Sequence, residues 1–365
     1  MLLTVITFII ILSILVFVHE LGHFLAARAI GVAVEEFGLG LPPRIIGKKI
    51  KETVYSLNWL PIGGFVKLAG EDEEVQSSKS KGKSSKELFW ARSKKERAVI
   101  LISGVGMNFL LAVGITAFLL TQGVPMPTDI VRIERVISGS PAEAVGLRVK
   151  DTIAALSFRN DRGDVEEKSM KTPKDLIDTT KGHLGEEITL TIKREGQVLS
   201  VPVVPRSVYP EGEGPMGVAI SNIEITRYPI WEAPGRALSI NIGRVTLMIS
   251  TLATPIVKLL TFQSVCGQVA GPIGIARVTG QAVKYGFLAV LEFMSILSLN
   301  LAVLNILPVP ALDGGRLAFV FLEKFMGRKI RPAFERSAHQ IGMLILLGLI
   351  LLTSISDIFC PALGN

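Results

Sequence analysis

The stretch "ILVFVHELGHFLAARAIG", residues 14–31, decides the reading of this chain. It holds His19-Glu20-Leu21-Gly22-His23, yet it continues an uncharged apolar run that starts at the first residue. On an α-helix, positions i and i+4 share a face, so His19 and His23 can present two imidazoles to one metal ion. Glu20 then sits beside them as a base for a metal-activated water. Ionisable groups inside apolar sequence are costly and mark function. Metal ligation is therefore a stronger reading than two histidines closing a span at the interface.

The 365 residues are 49% hydrophobic, and the apolar ones are clustered. After the first run, "AVILISGVGMNFLLAVGITAFLLT" (98–121) carries no charge and is long enough to cross about 30 Å of hydrocarbon. Two more candidates lie at 285–307, interrupted by Glu292, and at 341–356. This is the pattern of an integral membrane protein. A secretory signal peptide ending at "AARA" fits poorly, because no Lys or Arg precedes the run and the run is long for an h-region. The net charge of +7 does not point to nucleic acid. Thirteen Lys and Arg fall in 31–97 and six in 316–336, as expected of loops kept in the cytoplasm. Cys266 and Cys360 imply neither a disulfide scaffold nor a thiolate metal site.

Between the spans, "ETVYSLNWLPIGGFVKLAG" (52–70) alternates as short β structure with a Pro and Gly turn. "FGLGLPPRIIG" (37–47) reads as a loop near the active site, and 71–87 as a flexible polar loop. Residues 126–206 read as a small α+β module. Its signals are a Ser140 cap, a Thr172-Pro173 helix start, and a hairpin turning at Glu195-Gly196.

A catalytic metal needs a third protein ligand and an open position. His183 and His339 read as surface residues, so Asp313 is the better candidate. It follows Pro308 and Pro310, which break the third apolar run in "LNLAVLNILPVPALDGGRL" (299–317). A break at membrane depth is tolerated only in a protected or wet cavity. If His19, His23 and Asp313 share an ion, spans one and three end on the same side. The apolar segment 234–262 then lies along the surface or dips in without crossing. Four spans result, with the basic loops on the active-site side and the module opposite.

Taken together, these residues make the chain resemble the bacterial site-2 protease family of intramembrane zinc proteases, of the RseP type. The resemblance rests on His19-Glu20-Leu21-Gly22-His23, "GVGMNF" (104–109), "GPIGIA" (271–276) and "NILPVPALDGG" (305–315), and it covers essentially the whole length. It implies one Zn2+ per chain on His19, His23 and Asp313, with Glu20 activating water and Asn305 holding the substrate strand or the oxyanion. It also implies that an edge of the β segment, with Tyr55, Leu57, Gly63 and Gly64, pairs with an unwound substrate helix. The module resembles a circularly permuted PDZ domain. It departs from that pattern at Val145, where Ala is usual, and at Lys150-Asp151, where Gly-Asp is usual, so it reads either as a peptide-binding groove or as a size filter against bulky substrates.

The expected fold is thus membrane α-helical, with four transmembrane helices, a membrane-associated β segment and one inserted α+β PDZ-like domain. Its parts are a first transmembrane half at 1–125, the PDZ-like domain at 126–206, a linker and surface helix at 207–284, and a second transmembrane half at 285–365. The expected function is intramembrane zinc endopeptidase, cleaving transmembrane segments of single-pass proteins such as anti-sigma factors or remnant signal peptides by zinc-activated water. The expected partners are those substrates, the lipid bilayer, and a peptide or upstream-cleaved terminus at the PDZ-like domain, with no nucleic acid. The expected place is the bacterial cytoplasmic membrane, with the site towards the cytoplasm and the PDZ-like domain outside. The rivals are a PDZ adaptor with a vestigial metal site, a divalent-metal transporter, and a zinc protease of soluble substrates. Intact chemistry, absent repeat symmetry and a site inside the apolar run argue against each in turn.

Overall fold

The computed structural model describes residues 1–71, 87–159, 164–210, 212–260, 270–327, 330 and 332–359. The polar loop expected at 71–87 lies, apart from its ends, outside the described residues, as do Cys266 and Cys360. The chain divides into two compact units, Met1–Thr121 with Pro229–Asn365, and Gln122–Tyr228.

The first unit opens with helix α1 (Leu2–Ile30), which stops at Gly31, whose φ of 85° is a left-handed cap that glycine takes without strain. Strands β1 (Val34–Ile50) and β2 (Thr53–Leu68) follow. Residues 37–47, which read as a loop, are strand, because Glu36–Leu39 pair on both sides, with Val54–Leu57 and with Gly64–Lys67. The far half of β1 folds back on β2 from Ile46↔Leu57 to Ile50↔Thr53. The alternation of β2 is inverted relative to a soluble sheet. Ser56 and Asn58 are buried, and Leu57, Trp59 and Leu60 are exposed. Asn58 Nδ2 donates to the Gly40 carbonyl at 3.0 Å, so the inward polar side chain is satisfied. Helix α2 (Lys94–Gln122) packs directly on α1. A Cβ on Gly22 would strike the Ser103 carbonyl and approach Met107 Cγ to 2.8 Å, so the close crossing depends on glycine at that position.

The second unit contains β3 (Val124–Val136), α3 (Pro141–Ala144), β4 (Thr152–Arg159), β5 (Val165–Ser169), α4 (Pro173–Gly182), β6 (Ile188–Arg194), β7 (Gln197–Val203) and β8 (Val218–Thr226). The sheet order is β7-β6-β4-β3-β8, with β5 on β4. The caps fall where the residues ask for them. Ser140 accepts from the Glu143 N–H, and Thr172 forms a reciprocal capping box with Asp175. Ile188, Leu190 and Ile192 are fully buried against Val131, Ile153, Leu156 and Leu176. The sheet also takes in β8, from a stretch whose Pro-rich approach reads as linker. Ile220 and Val218 complete the core from there. Lys150 has φ 76°, which explains why glycine suits that position.

The chain returns to the first unit with α5 (Ala233–Leu260), α6 (Pro272–Tyr285), α7 (Phe287–Ile306), α8 (Asp313–Met326) and α9 (Pro332–Phe359). Among the described residues, four helices are long and apolar enough to cross a membrane: Leu2–Ile30, Lys94–Gln122, Phe287–Ile306 and Phe334–Phe359. Helix α5 is not one of them. It docks through buried Asn241, 3.5 Å from Thr116 Oγ1, and through the Arg244–Glu292 ion pair at 3.5 Å. A polar seam joins α2 to α7. Ser295 Oγ bonds Thr116 at 3.0 Å, and Ser298 Oγ donates to the Asn108 carbonyl at 2.7 Å. Such bonds contribute about 0.6 kcal/mol each between membrane helices, and they fix rotation as well. "GPIGIA" is the N-terminus of α6. Asp357 of α9 accepts from the Gly271 N–H at 3.1 Å and the Gly274 N–H at 2.7 Å, in space that a Cβ on either glycine would fill.

In the second unit, buried Asp151 pairs with the partly exposed Arg194. Arg194 donates to both oxygens of Asp151 at 2.7 and 2.6 Å, and the Arg148 N–H adds a third bond at 2.8 Å. Burial pushes the Asp151 carboxyl up, but these bonds overcome it and hold the group below the ordinary carboxylate range. A lowered folded value contributes stability that is present above the unfolded value of about 3.9 and lost as the pH falls through the folded one. Asp151→Asn is expected to cost about 1–2 kcal/mol at neutral pH, because the Arg194 charge left behind is open to solvent. Amide exchange across Gln122–Tyr228 in the full chain checks this, and the gap to wild type should close as the medium is acidified.

Candidate metal centre

His19 and His23 are both buried on the inner face of α1. Asp313 is the first residue of α8, whose angle is set from its other end. Leu317 and Val320 pack on Leu101, and buried Glu323 pairs with Arg97 of α2 and takes Lys94 Nζ on its carbonyl at 2.9 Å. The chain reaches that start through 307–312. A Cβ on Gly314 would strike the Leu307 and Ile306 carbonyls, and one on Gly315 would strike the Val309 carbonyl. The Asp-Gly-Gly sequence therefore lets the turn close on itself.

The result is a triangle of donors. His19 Nε2 lies 2.9 Å from Asp313 Oδ2, His23 Nε2 lies 3.2 Å from the same oxygen, and the two imidazole nitrogens are 3.2 Å apart. Tetrahedral ligands about 2.0–2.1 Å from an ion stand roughly 3.4 Å apart, so the three are spaced for one ion with a fourth position open. Among the described residues, this is the group of three His, Cys, Asp or Glu able to share an ion.

The rings are oriented from behind. His23 Nδ1–H donates to the Ile100 carbonyl at 2.8 Å, which leaves the Nε2 lone pair facing the triangle. Asn108 stands behind the other ring, that of His19. Its amide lies 3.4 Å from Nδ1, and its Oδ1 is buried without a partner while Nδ2 faces the ring. With the amide turned, Oδ1 accepts the Nδ1–H, and His19 Nε2 is free as a ligand. Space for both rings comes from Gly104, where a Cβ would strike His23 Nε2 and stand 2.9 Å from His19 Cε1. "GVGMNF" thus contributes a gap and an orienting amide, roles that its letters alone did not reveal.

The remaining residues singled out from sequence are placed as follows. Glu20 stays outside the triangle, partly buried, with its carboxylate within reach of the Val66 backbone N–H. Gly64 adjoins it, since a Cβ there would stand 3.7 Å from Glu20 Cγ. Asn305 Nδ2 lies 3.4 Å from His19 Nε2. Tyr55 packs against Phe24 and Phe37, with ring centroids at 6.1 and 6.3 Å, and Leu57 and Gly63 pack with β1. These three stand apart from the donors. His183 pairs with Glu186 at 2.9 Å in the other unit. His339, read as a surface residue, is half-buried instead, with Nδ1 accepting the Ala311 N–H at 2.8 Å.

A buried three-donor site with an open position, a carboxylate beside it and apolar helices around it defines a metal-dependent hydrolytic centre within a membrane-spanning protein. The sequence comparisons carry this to a family. The model of Peptidase family M50 matches residues 7–349, and the chain belongs to that family. It is 28% identical to the zinc metalloprotease RasP of Bacillus licheniformis, over 97% of this chain and 98% of the relative. It is also 28% identical to the regulator of sigma-W protease RasP of Bacillus subtilis, over the same shares. A protein of Rickettsia conorii that carries the provisional name of zinc metalloprotease is 33% identical, over 98% of each chain. The chain is accordingly a peptidase of a multi-pass membrane type.

The space at Gly104 has a built-in control, because a Cβ on Gly106 of the same helix meets nothing within 4 Å. Gly104→Ala is expected to abolish metal retention, and Gly106→Ala to leave it intact. Metal content of the two purified proteins decides the matter.

Proposed function

We propose that this chain is an intramembrane zinc endopeptidase that cleaves the transmembrane segments of single-pass proteins, such as anti-sigma factors or remnant signal peptides. The observation that carries the reading is the His19–His23–Asp313 triangle, spaced for one ion and set among apolar helices. Relatives named as zinc metalloproteases, and one named as a regulator of sigma-W, support the metal and the substrate class. His19, His23 and Asp313 hold one zinc ion per chain. When bound, zinc polarises the scissile carbonyl and makes water acidic enough to ionise near neutral pH.

The protein's own groups do the rest. Glu20 takes the proton from the attacking water as the C–O bond forms, and delivers it to the amine as the C–N bond breaks. Asn305 Nδ2, beside His19, donates to the oxygen that gains charge in the tetrahedral state. A helical peptide bond is shielded by its own hydrogen bonds, so the substrate must first be extended. Residues Gly64–Leu68 pair with β1 on one side only among the described residues, and they run past Glu20. A substrate strand added at that edge regains its lost backbone bonds and runs beside Glu20. Tyr55, Leu57 and Gly63 shape the sheet behind that edge.

The unit Gln122–Tyr228 acts as a PDZ-like domain over 126–206 that takes the freshly cut terminus of a substrate shortened outside. The basic loops keep the site towards the cytoplasm and this domain on the opposite side of the bacterial membrane. The parts flanking it are the transmembrane halves 1–125 and 285–365 and the linker and surface helix 207–284.

Cleavage of a tagged single-pass reporter by wild-type and Glu20→Gln protein in detergent, with zinc quantified in both, tests the proposal. Equal zinc and a rate lowered by about 10²–10⁴ in the variant is the expected result. Undiminished cleavage by Glu20→Gln would remove the base, and a wild type without zinc would remove the mechanism.

A further inference from the structure

The turn that presents Asp313 contains a residue in an unusual conformation. Ala311 has φ 80°, in the left-handed region that L residues rarely adopt, and it lies two positions before the carboxylate. Such a conformation persists only where the surroundings hold it. Neighbouring amides of the turn bond within it, Val309 N–H to Leu307 at 2.7 Å and Leu312 N–H to Val309 at 3.2 Å. The Ala311 N–H instead leaves the turn and donates to Nδ1 of His339 on α9, 28 residues away, at 2.8 Å. One turn further along α9, Gly342 lies flush on the preceding residue. A Cβ there would stand 2.5 Å from the Pro310 carbonyl oxygen and 2.6 Å from Pro310 Cβ. His339 and Gly342 together form a seat for Pro310 and Ala311.

The state of the imidazole points the same way. Because Nδ1 accepts, the ring proton sits on Nε2, which is buried with no hydrogen-bond partner among the described residues. The ring's neighbour is Phe319 of α8, at 6.0 Å between centroids. An unpaired buried N–H carries a penalty that an apolar side chain would avoid. What the imidazole offers in return is its bond to Ala311.

We infer that His339 is a positioning residue for the metal centre, through which the last membrane helix clamps the strained Ala311 turn and so sets where Asp313 stands. This rests on the reading of Asp313 as a zinc ligand. It makes α9 part of the scaffold of the site, although α9 contributes no ligand to it. Displacing α9 would loosen one corner of the donor triangle and leave the two histidines in place.

The test uses the full chain in detergent and four variants: His339→Ala, His339→Asn, Ala311→Gly, and Ala311→Gly combined with His339→Ala. One measurement is amide exchange over 305–315 on zinc-stripped protein, and the other is the rate of zinc release to a chelator. The expected result for His339→Ala is roughly tenfold loss of protection at Ala311, in line with one hydrogen bond, together with faster zinc release. His339→Asn should restore both, because Asn Oδ1 occupies the place of His Nδ1 and accepts the same N–H. In the Ala311→Gly background the His339→Ala effect on zinc release should shrink, since glycine takes the positive φ without a clamp. Equal exchange and equal release in wild type and His339→Ala overturns the inference. So does a loss in His339→Asn as large as in His339→Ala, which is what a space-filling role gives. Should His339→Ala fail to fold, His339→Asn against wild type and the double variant against Ala311→Gly still decide. Asp313→Asn is the control for the metal reading. If it keeps wild-type zinc, that reading fails, while exchange on stripped protein still reports on the clamp.

Discussion

Two imidazole nitrogens and a carboxylate oxygen, brought within 3.2 Å of one another in apolar surroundings, are held together only by a proton or a metal ion shared between them. Most of the first unit can be understood as what it takes to hold that arrangement. The histidines come from one helix, whose geometry puts them on a shared face, and α2 orients their rings. The carboxylate comes from 290 residues away and must be brought in by packing. Gly22 lets α2 lie against α1, Gly104 clears the space for the rings, and the Arg97–Glu323 pair and the Leu101 contact fix the tilt of α8. Each feature alone looks like ordinary helix packing. Together they determine where the donor atoms fall.

Breaking a helix at membrane depth frees backbone groups that lipid cannot satisfy. The turn from Leu307 to Leu312 meets that constraint in three ways. It bonds to itself at Val309 and Leu312, it shelters the start of α8 behind two glycines, and it hands the remaining N–H to α9. Pro308 and Pro310 lack an N–H and remove two donors that would otherwise need partners. The composition of this turn is therefore as much an answer to the bilayer as to the chemistry.

The local half of the centre was legible in the sequence. His19 and His23 follow from one spacing rule on a predicted helix, and Asp313 from the Pro break before it and the lack of a better third donor. What the sequence hid is tertiary. Nothing local marks Asn108 as the partner of a ring 89 residues earlier, nor Gly104 as a cavity rather than a flexible joint. His339 sits next to a basic loop and so reads as surface, because the atom that claims it is a backbone N–H without a side-chain signature. The loop reading of 37–47 failed for a related reason. Its prolines and glycines describe a lone strand badly, but these residues are paired on both sides or folded back on β2.

The inverted sheet shows how hydrolysis and a bilayer coexist in one chain. In a soluble sheet, Leu57 and Trp59 would face the core and Ser56 and Asn58 the solvent. Here the polar side chains point inward and the large apolar ones outward. That arrangement suits a sheet surrounded by hydrocarbon with a polar interior beside it. The same logic places Ser295, Ser298, Thr116 and Asn241 between helices while Leu344, Leu347, Leu351 and Leu352 of α9 are exposed. Apolar residues outside and polar ones between the elements suit a peptidase site set among membrane-spanning helices. The motif in the first helix can therefore begin inside an apolar run, because the polar interior it needs is built by elements that come later in the chain.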